Sequence, residues 1–153
     1  MRESYNIENM LKMAFKDPIS KILLKYSRLT PIQFETFIID ILIDNAVEKE
    51  ATYDEKKIYR SKKVSRGSFS RTLSQCRRNI ISSIFTILLL NYVGILEGSP
   101  LEDFQILSNR LRDYSFSVIN SDSEKDSEHL INVERELLAG IEKLSKPSTM
   151  KSL

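Results

Sequence analysis

The longest helical pattern in the sequence runs from Ser68 to about Tyr92, and it constrains the fold more than any other feature. Apolar residues recur along it at helical spacing and fall on one face. That face comprises Phe69, Leu73, Cys76, Ile80, Ile84 and Ile87. The second part, Asn79 to Leu96, has 18 residues without a charge, and its apolar residues lie on every side. Such a helix is typical of the centre of a helical domain, surrounded by other helices.

An uncharged run of this length, following Arg77 and Arg78, is also about the minimum that spans a membrane. However, it carries polar side chains on almost every turn, namely Asn79, Ser82, Ser83, Thr86 and Asn91. Polar groups near the centre of a bilayer are costly unless they are paired. We therefore expect the run to be buried inside a soluble helical domain, and we expect no membrane partner.

The rest of the chain also favours helices, since only four glycines and four prolines are available for turns. Apolar spacing predicts an N-terminal helical region with a break at Asp17 and Pro18. Thr30 before Pro31 is a helix-start signal, so a core helix should run from Pro31 to about Glu48. Its predicted apolar face holds Phe34, Phe37, Ile38, Ile41, Leu42 and Val47, and its predicted solvent face holds Glu35, Asp40, Asp44 and Glu48. Residues 49–65 predict a short helix with a turn.

The C-terminal part predicts two further helices. Gly94, Gly98 and Pro100 should end the central helix, and residues 101–116 should form a shorter one with Phe104, Leu107 and Leu111 inward. A last helix carries a narrow apolar stripe of Leu130, Val133, Leu137, Ile141 and Leu144, which suits either docking on the core or a dimer seam.

We expect a helical core at 1–116, an acidic Ser-rich connection at 117–127, a C-terminal helix at 128–146 and a frayed tail at 147–153. The predicted fold is all-α, a single helical domain, and the predicted oligomer is a homodimer.

Charge is distributed unevenly along this chain. A basic window between Lys56 and Arg78 holds nine cationic residues and no acidic one, whereas the other residues comprise 14 basic and 21 acidic ones. The nine cations are Lys56, Lys57, Arg60, Lys62, Lys63, Arg66, Arg71, Arg77 and Arg78. Such segregation creates a local positive field that a polyanion experiences even though the net charge is only +2. The basic window therefore predicts a nucleic-acid-binding segment.

The predicted helix start near Ser68 strengthens this interpretation. The first amides of a helix have no partner within it and receive phosphate well. Hydroxyl groups at Ser65, Ser68, Ser70 and Thr72 add donors at the same place. Arg66 and Arg71 lie near the positive end of the helix dipole, where acidic residues favour stability. A bound anion would relieve this conflict, which indicates a functional site.

The string from Val64 to Leu73, VSRGSFSRTL, resembles the turn and recognition helix of helix-turn-helix DNA-binding proteins, and the resemblance extends over Asp54–Leu73. Asn91–Leu96 is similar, to a lesser degree, to the segment that leads into the hairpin of winged-helix proteins. The resemblance implies that the turn and first helical turn approach base edges or phosphates through Ser65, Arg66, Ser68, Ser70 and Arg71. It implies backbone contacts from Lys56, Lys57, Arg60, Lys62 and Lys63. Arg77 and Arg78, one to two turns further along, would either touch a flanking phosphate or simply cap the solvated face. The expected partner is DNA, with duplex favoured, and the expected role is regulatory or architectural.

Two other functions fit the same window. A helical adaptor could use its basic face to bind an acidic protein partner. Alternatively, the protein binds single-stranded DNA or RNA, with Tyr53 and Tyr59 stacking on bases, although tyrosines at such positions also suit the edge of a core.

The sequence gives little support to an enzyme. One cysteine, Cys76, and one histidine, His129, cannot supply a clustered metal site, and no phosphate-binding glycine loop is present. The acidic residues Asp122, Glu124, Asp126 and Glu128 lack the glycine and the closing glutamate of a calcium loop. We therefore expect no catalytic residue, cofactor, metal or small-molecule substrate. The single cysteine and the polar N-terminus predict a cytoplasmic, nucleoid-associated protein.

Overall fold

The computed structural model describes residues 2–46, 51–96, 100–119 and 125–145, and within these ranges every regular element is helical. The helices are α1 (Arg2–Lys16), α2 (Pro18–Tyr26), α3 (Pro31–Ala46), α4 (Tyr53–Lys56), α5 (Arg66–Tyr92), α6 (Pro100–Ile119) and α7 (Lys125–Ser145), with a 3-10 turn at Lys57–Tyr59 after α4. The all-α prediction is confirmed. None of the described helices is long and apolar enough to cross a membrane.

The chain divides into two compact units. The first consists of Met1–Lys16 and Leu23–Ile84, and the second of Asp17–Ile22 and Phe85–Leu153. In the first unit, α1, α3 and α5 supply one hydrophobic core of buried Ile7, Leu11, Ile39, Ile43, Phe69 and Leu73. Burial of such side chains stabilises a fold by roughly 1.5–3 kcal/mol each. This core fixes which face of α5 points outward.

The predicted break at Asp17 is confirmed, and Asp17 starts the next helix. Its carboxylate accepts hydrogen bonds from the amide of Ser20 at 2.9 Å and from the amide of Ile19 at 3.3 Å. The hydroxyls of Ser20 and Ser115 also donate to it. Burial by itself would raise the pKa of Asp17, but these hydrogen bonds outweigh it and the pKa lies below its ordinary value. Pro18 then occupies the first helical position, where its missing N–H costs little.

Helix α3 begins at Pro31 as predicted, with Thr30 and Gln33 capping each other. The amide of Gln33 donates to Oγ1 of Thr30 at 3.2 Å, and the amide of Thr30 donates to Oε1 of Gln33 at 3.1 Å. The predicted solvent face of this helix is wrong in part. Glu35 and Asp40 are buried, whereas Ile41, predicted on the apolar face, is exposed. The carboxylates are buried because cations of the basic window lie against them, as described below. Val47 and Glu48 lie outside the described residues.

The segment after α3 forms the predicted short helix and turn. Thr52 and Glu55 make a capping box at the start of α4: the amide of Thr52 donates to Oε2 of Glu55 at 2.7 Å, and the amide of Glu55 donates back to Oγ1 of Thr52 at 3.4 Å. The pKa of Glu55 lies below its ordinary value because of the hydrogen bond from the Thr52 backbone. The ring of Tyr53 packs on Phe69 with centroids 5.9 Å apart, and Tyr59 is half-buried against the same core. Both tyrosines therefore lie at the edge of the core, which agrees with the alternative to base stacking that the sequence left open.

Helix α5 is the longest of the described helices, but its second half departs from expectation. Phe69, Leu73 and Cys76 are buried as predicted, whereas Ile84, Phe85 and Leu89 are exposed. The prediction that other helices surround this half is therefore wrong for these residues.

Gly94 ends α5 as predicted. Its φ of +75° is one that glycine adopts without strain. The amide of Gly94 donates to the carbonyl of Asn91 at 3.0 Å and that of Ile95 to the carbonyl of Leu90 at 2.9 Å, which is the Schellman pattern.

In the second unit, α6 and α7 are both longer than predicted. They line an open cavity of about 500 Å³ with apolar side chains from both helices. Its apolar lining includes Phe104, Leu107, Leu111, Val133, Leu137 and Ile141. Helix α6 continues to Ile119 and α7 begins at Lys125, so the predicted connection at 117–127 is partly helical. Residues 120–124 and the tail at 147–153 lie outside the described residues.

Candidate nucleic-acid interface

The first turn of α5 is organised by Ser65. The amide of Ser68 donates to Oγ of Ser65 at 3.1 Å, and the amide of Phe69 donates to its carbonyl at 3.0 Å. Ser65 therefore caps the helix, which begins at Arg66, two residues before the predicted start. No acidic residue lies in the first turn. The side chain of Arg66 is 67% exposed, so a positive charge lies in solvent next to the positive end of the helix dipole.

The outward face of α5 carries what we call the basic stripe: Arg71, Ser74 and Arg78. All three residues are exposed, because Phe69, Leu73 and Cys76 on the opposite side are buried in the core. A rise of 1.5 Å per residue places the α-carbons of Arg71 and Arg78 roughly 10 Å apart along the helix. Within the described residues neither guanidinium has an ion pair. These two charges are available to an external anion.

Hydroxyl groups surround one end of the basic stripe. A shallow cavity of about 190 Å³ is lined by Ser65, Ser68, Arg71, Thr72 and Gln75. Its lining therefore combines one guanidinium with hydroxyl and amide groups, which are the side chains that commonly contact phosphate and sugar oxygens.

Lys56 has a different environment, since only 3% of it is exposed. Its Nζ lies 2.7 Å from Oδ1 of Asp40 and 2.6 Å from Oδ1 of Asp44. Burial by itself would lower the pKa of Lys56, but the hydrogen bonds from its ammonium group to Asp40 and Asp44 outweigh that effect and raise the pKa. Lys56 thus stays charged and is directed into the protein.

Arg60 is also buried, against the start of α3. Its NH1 donates a hydrogen bond to the hydroxyl of Thr36. Its Nε lies 2.9 Å from Oε2 of Glu35, a contact of opposite charges that lacks hydrogen-bond geometry. The other oxygen of Glu35 accepts from the amide of Ser61 at 2.6 Å. This arrangement fixes the loop that leads to α5.

Three further cations of the basic window contact carboxylates while partly exposed. NH2 of Arg77 donates to Oδ2 of Asp40 at 2.7 Å, and about half of its side chain is accessible. Lys57 pairs with Asp54, and Arg66 lies 3.8 Å from the same carboxylate. The hydrogen bond from Lys57 lowers the pKa of Asp54. Exposed pairs of this type contribute little stability, so Lys57 and Arg66 can exchange partners readily.

The predicted site residues therefore fall into three groups. Lys56 and Arg60 are buried and contact carboxylates, so they are not accessible to an external anion. Lys57, Arg66 and Arg77 are partly or fully exposed and paired. The exposed residues without an ion pair among the described residues are Lys62, Lys63, Arg71 and Arg78. Ser65 and Ser68 lie at the start of α5, and Ser70 is half-buried.

Sequence reasoning missed the acidic side of this site, namely Glu35, Asp40 and Asp44. A signal was present, because Asp40 and Asp44 are four residues apart and share one face of α3. The segment with the most cations follows that helix directly, which favours pairing between the two. This signal identifies the carboxylates as neutralising partners for part of the basic window.

Cys76 and His129 are the single cysteine and the single histidine of the sequence. Cys76 is buried, and burial raises the pKa of its thiol, so the reactive thiolate is disfavoured. His129 is exposed on α7. Among the described residues, no group of three or more His, Cys, Asp and Glu side chains is arranged to hold a metal ion.

Comparisons with protein-family models, with curated proteins and with solved structures find no match to this chain. The fold and the site define it at the level of class, as an all-α protein with a buried ion-pair network and an exposed cationic helix face.

Proposed function

We propose that the protein binds nucleic acid, with duplex DNA as the favoured ligand, through the exposed part of the basic window. One observation carries the proposal. Five of the nine cations contact the four carboxylates of Glu35, Asp40, Asp44 and Asp54, while Lys62, Lys63, Arg71 and Arg78 are exposed without such partners in the described structure. The fold thus neutralises part of the window and leaves these four cations accessible to an external anion.

Electrostatics supports phosphate as the ligand of this surface. Each phosphate that a lysine or arginine neutralises releases condensed counterions, which gives affinity without sequence preference. The start of α5 adds the positive end of its dipole and the hydroxyls of Ser65 and Ser68. These contacts would position the protein on the nucleic-acid backbone.

The helix-turn-helix resemblance of Asp54–Leu73 provides the docking mode of this proposal, although residues 57–65 separate α4 from α5 and form a longer connection than the turn of about three or four residues typical of that motif. In that mode the outward face of α5 enters the major groove, where arginine is well suited to guanine. The roughly 10 Å between Arg71 and Arg78 corresponds to about three base-pair steps of 3.4 Å. In a sequence-specific complex of this mode Arg66, Arg71 and Arg78 would be the side chains closest to bases, whereas on random sequence they would contact phosphates, in a protein of regulatory or architectural type.

Affinity for random-sequence duplex DNA, measured across salt concentrations, tests the proposal. About four phosphate contacts predict a slope near −4 in a plot of log affinity against log salt. This slope corresponds to a roughly hundredfold loss of affinity between about 50 and 200 mM salt. Replacing both Arg71 and Arg78 by alanine should reduce the magnitude of the slope by about two and weaken binding to all sequences.

A matched control removes two charges from another helix of the first unit. Lys12 and Lys16 are exposed on α1, and K12A/K16A should leave the affinity and slope unchanged. If the wild-type protein does not bind nucleic acid at low salt, the proposal is rejected and an acidic protein partner becomes the better hypothesis. If single-stranded DNA or RNA binds more tightly than duplex, the helix-turn-helix mode is rejected.

A further inference from the structure

The C-terminal half of α5 presents an apolar surface to solvent. Ile81, Phe85, Leu88 and Tyr92 recur at spacings of four, three and four residues, and we call this set the apolar seam. Their exposed fractions are 52%, 66%, 52% and 90%. Ile84 and Leu89 flank the seam and are also more than half exposed. Spacing of this kind places all four side chains along one line that faces a partner helix in coiled coils.

The apolar seam continues the register of the basic stripe. From Arg71 the spacings of three and four lead through Ser74 and Arg78 to Ile81, and then to Tyr92. All of these residues are exposed on one continuous helix. A single face of α5 is therefore basic in its first half and apolar in its second half.

Two observations identify the occupant of the apolar seam as another copy of the same helix. The run from Asn79 to Leu96 has no charge, so a charged partner surface would lose its hydration there without gaining an ion pair. A seam of the same side chains on a second copy offers a matching apolar surface, as two-fold interfaces require.

The size of the surface agrees with this occupant. The four seam residues with Ile84 and Leu89 each expose on the order of 100 Å² of side-chain surface, which gives roughly 600 Å² per copy. A standard protein–protein interface buries about 800 Å² per partner.

We propose that the protein forms a two-fold homodimer through the apolar seam of α5. The C-terminal helix is the weaker candidate for the interface, because Leu130, Val133 and Leu137 of its predicted stripe are already half-buried and two of them line the cavity shared with α6. This inference does not depend on the proposed function.

Molar mass measured by light scattering and by sedimentation, from about 1 to about 100 µM protein, tests the proposal. The wild-type chain should be dimeric in this range. Phe85→Glu places a charge in the seam and should raise the dimer dissociation constant at least about 100-fold. Ile131→Glu is the matched control, since Ile131 is 55% exposed on α7, and it should leave the dimer intact. A monomeric wild type, or a dimer that Ile131→Glu dissociates and Phe85→Glu does not, overturns the proposal.

Circular dichroism of each variant shows whether the fold is retained. If Phe85→Glu loses helicity, Tyr92→Lys replaces it, because Tyr92 is 90% exposed and contributes little to packing within one copy. Tyr92→Lys should weaken the dimer at least about tenfold, and an unchanged dissociation constant overturns the proposal.

DNA binding separates this proposal from the previous one. R71A/R78A should remain dimeric while losing affinity for DNA. Phe85→Glu should become monomeric while retaining salt-dependent binding of each copy. If R71A/R78A keeps its affinity for DNA, the role of the basic stripe is rejected. If Phe85→Glu stays dimeric, the role of the apolar seam is rejected.

Discussion

Two groups of cations in the basic window differ in what surrounds them. Lys56 and Arg60, on α4 and just after the 3-10 turn, are buried and lie against carboxylates of α3. Arg71 and Arg78, on α5, are exposed and have no ion pair among the described residues. All four residues are basic and the distance along the chain is short. The comparison shows that a count of charges identifies a region, whereas the partners of each charge determine its role.

The two groups also differ in energetic consequence. Removing one member of a buried ion pair leaves an unpaired charge in the interior, which is strongly destabilising. Removing an exposed charge changes stability little, because water and salt already screen it. Stability measurements should therefore respond to the first group, and binding measurements to the second.

Asp40→Asn should give the largest loss of stability. Asp40 is 1% exposed and contacts both Lys56 and Arg77 at 2.7 Å, so the amide loses the charge and turns an NH2 group towards one of the two cations. We expect the free energy of unfolding to fall by about 3–5 kcal/mol in urea titrations.

Asp44→Asn is the matched control for this variant. The side chain of Asp44 is 37% exposed and, among the described residues, pairs with Lys56, so its loss should be clearly smaller. Equal effects of the two substitutions would show that burial does not distinguish the two carboxylates.

Alkaline pH should produce an intermediate loss through Lys56. The pKa of Lys56 is raised in the folded state, so its contribution is fully present below the unfolded pKa of about 10.5. It is lost as pH rises through the higher folded value. The loss should be smaller than in Asp40→Asn, because Arg77 continues to pair with Asp40.

Lys56→Arg tests the assignment of this pH dependence, since arginine stays charged above pH 11. Stability from urea titrations at several alkaline pH values should decline less in this variant than in the wild type. Parallel decline of the two proteins would contradict a role for Lys56.

Thr52→Ala should give a smaller loss, because it removes one side of the capping box that starts α4. This short helix carries Lys56 to its buried site, and Oγ1 of Thr52 accepts from the amide of Glu55. We expect the free energy of unfolding to decrease by about 1 kcal/mol. Thr52→Ser keeps the hydroxyl and should be nearly neutral, whereas a loss equal to that of alanine would argue against the cap.

Much of the fold could be predicted from local signals. Thr30 with Pro31, Asp17 with Pro18, and Gly94 mark helix ends through backbone chemistry that acts within a few residues. The core face of α5 followed from its period as far as Cys76. Beyond Ile80 the same period predicts only which residues share a face of the helix. It does not predict whether another helix covers that face, because covering depends on tertiary packing.

The candidate site could be predicted only in part, because pairing between distant residues is not visible in charge patterns. The exposed position of Arg71 and Arg78 followed from their place opposite the apolar face of α5. The burial of Lys56 did not follow, because it depends on Asp40, which is 16 residues away in sequence. The predicted solvent face of α3 was wrong at Glu35 and Asp40 for the same reason. Carboxylates are normally exposed unless paired, and here the pairing partners come from the basic window.

The smallest expected effect on stability belongs to the double variant R71A/R78A. Both side chains are exposed and lack ion pairs in the described structure, so the free energy of unfolding should change by less than about 0.5 kcal/mol per substitution. Alanine also has the higher helix propensity, which offsets any lost contact of the arginine stems with the helix surface. Urea titrations that show an unchanged midpoint, together with weakened DNA binding, would assign the basic stripe to function rather than to folding. A loss comparable to that of Asp40→Asn would show that these arginines belong with the buried group, and the distinction between the two kinds of cation would fail.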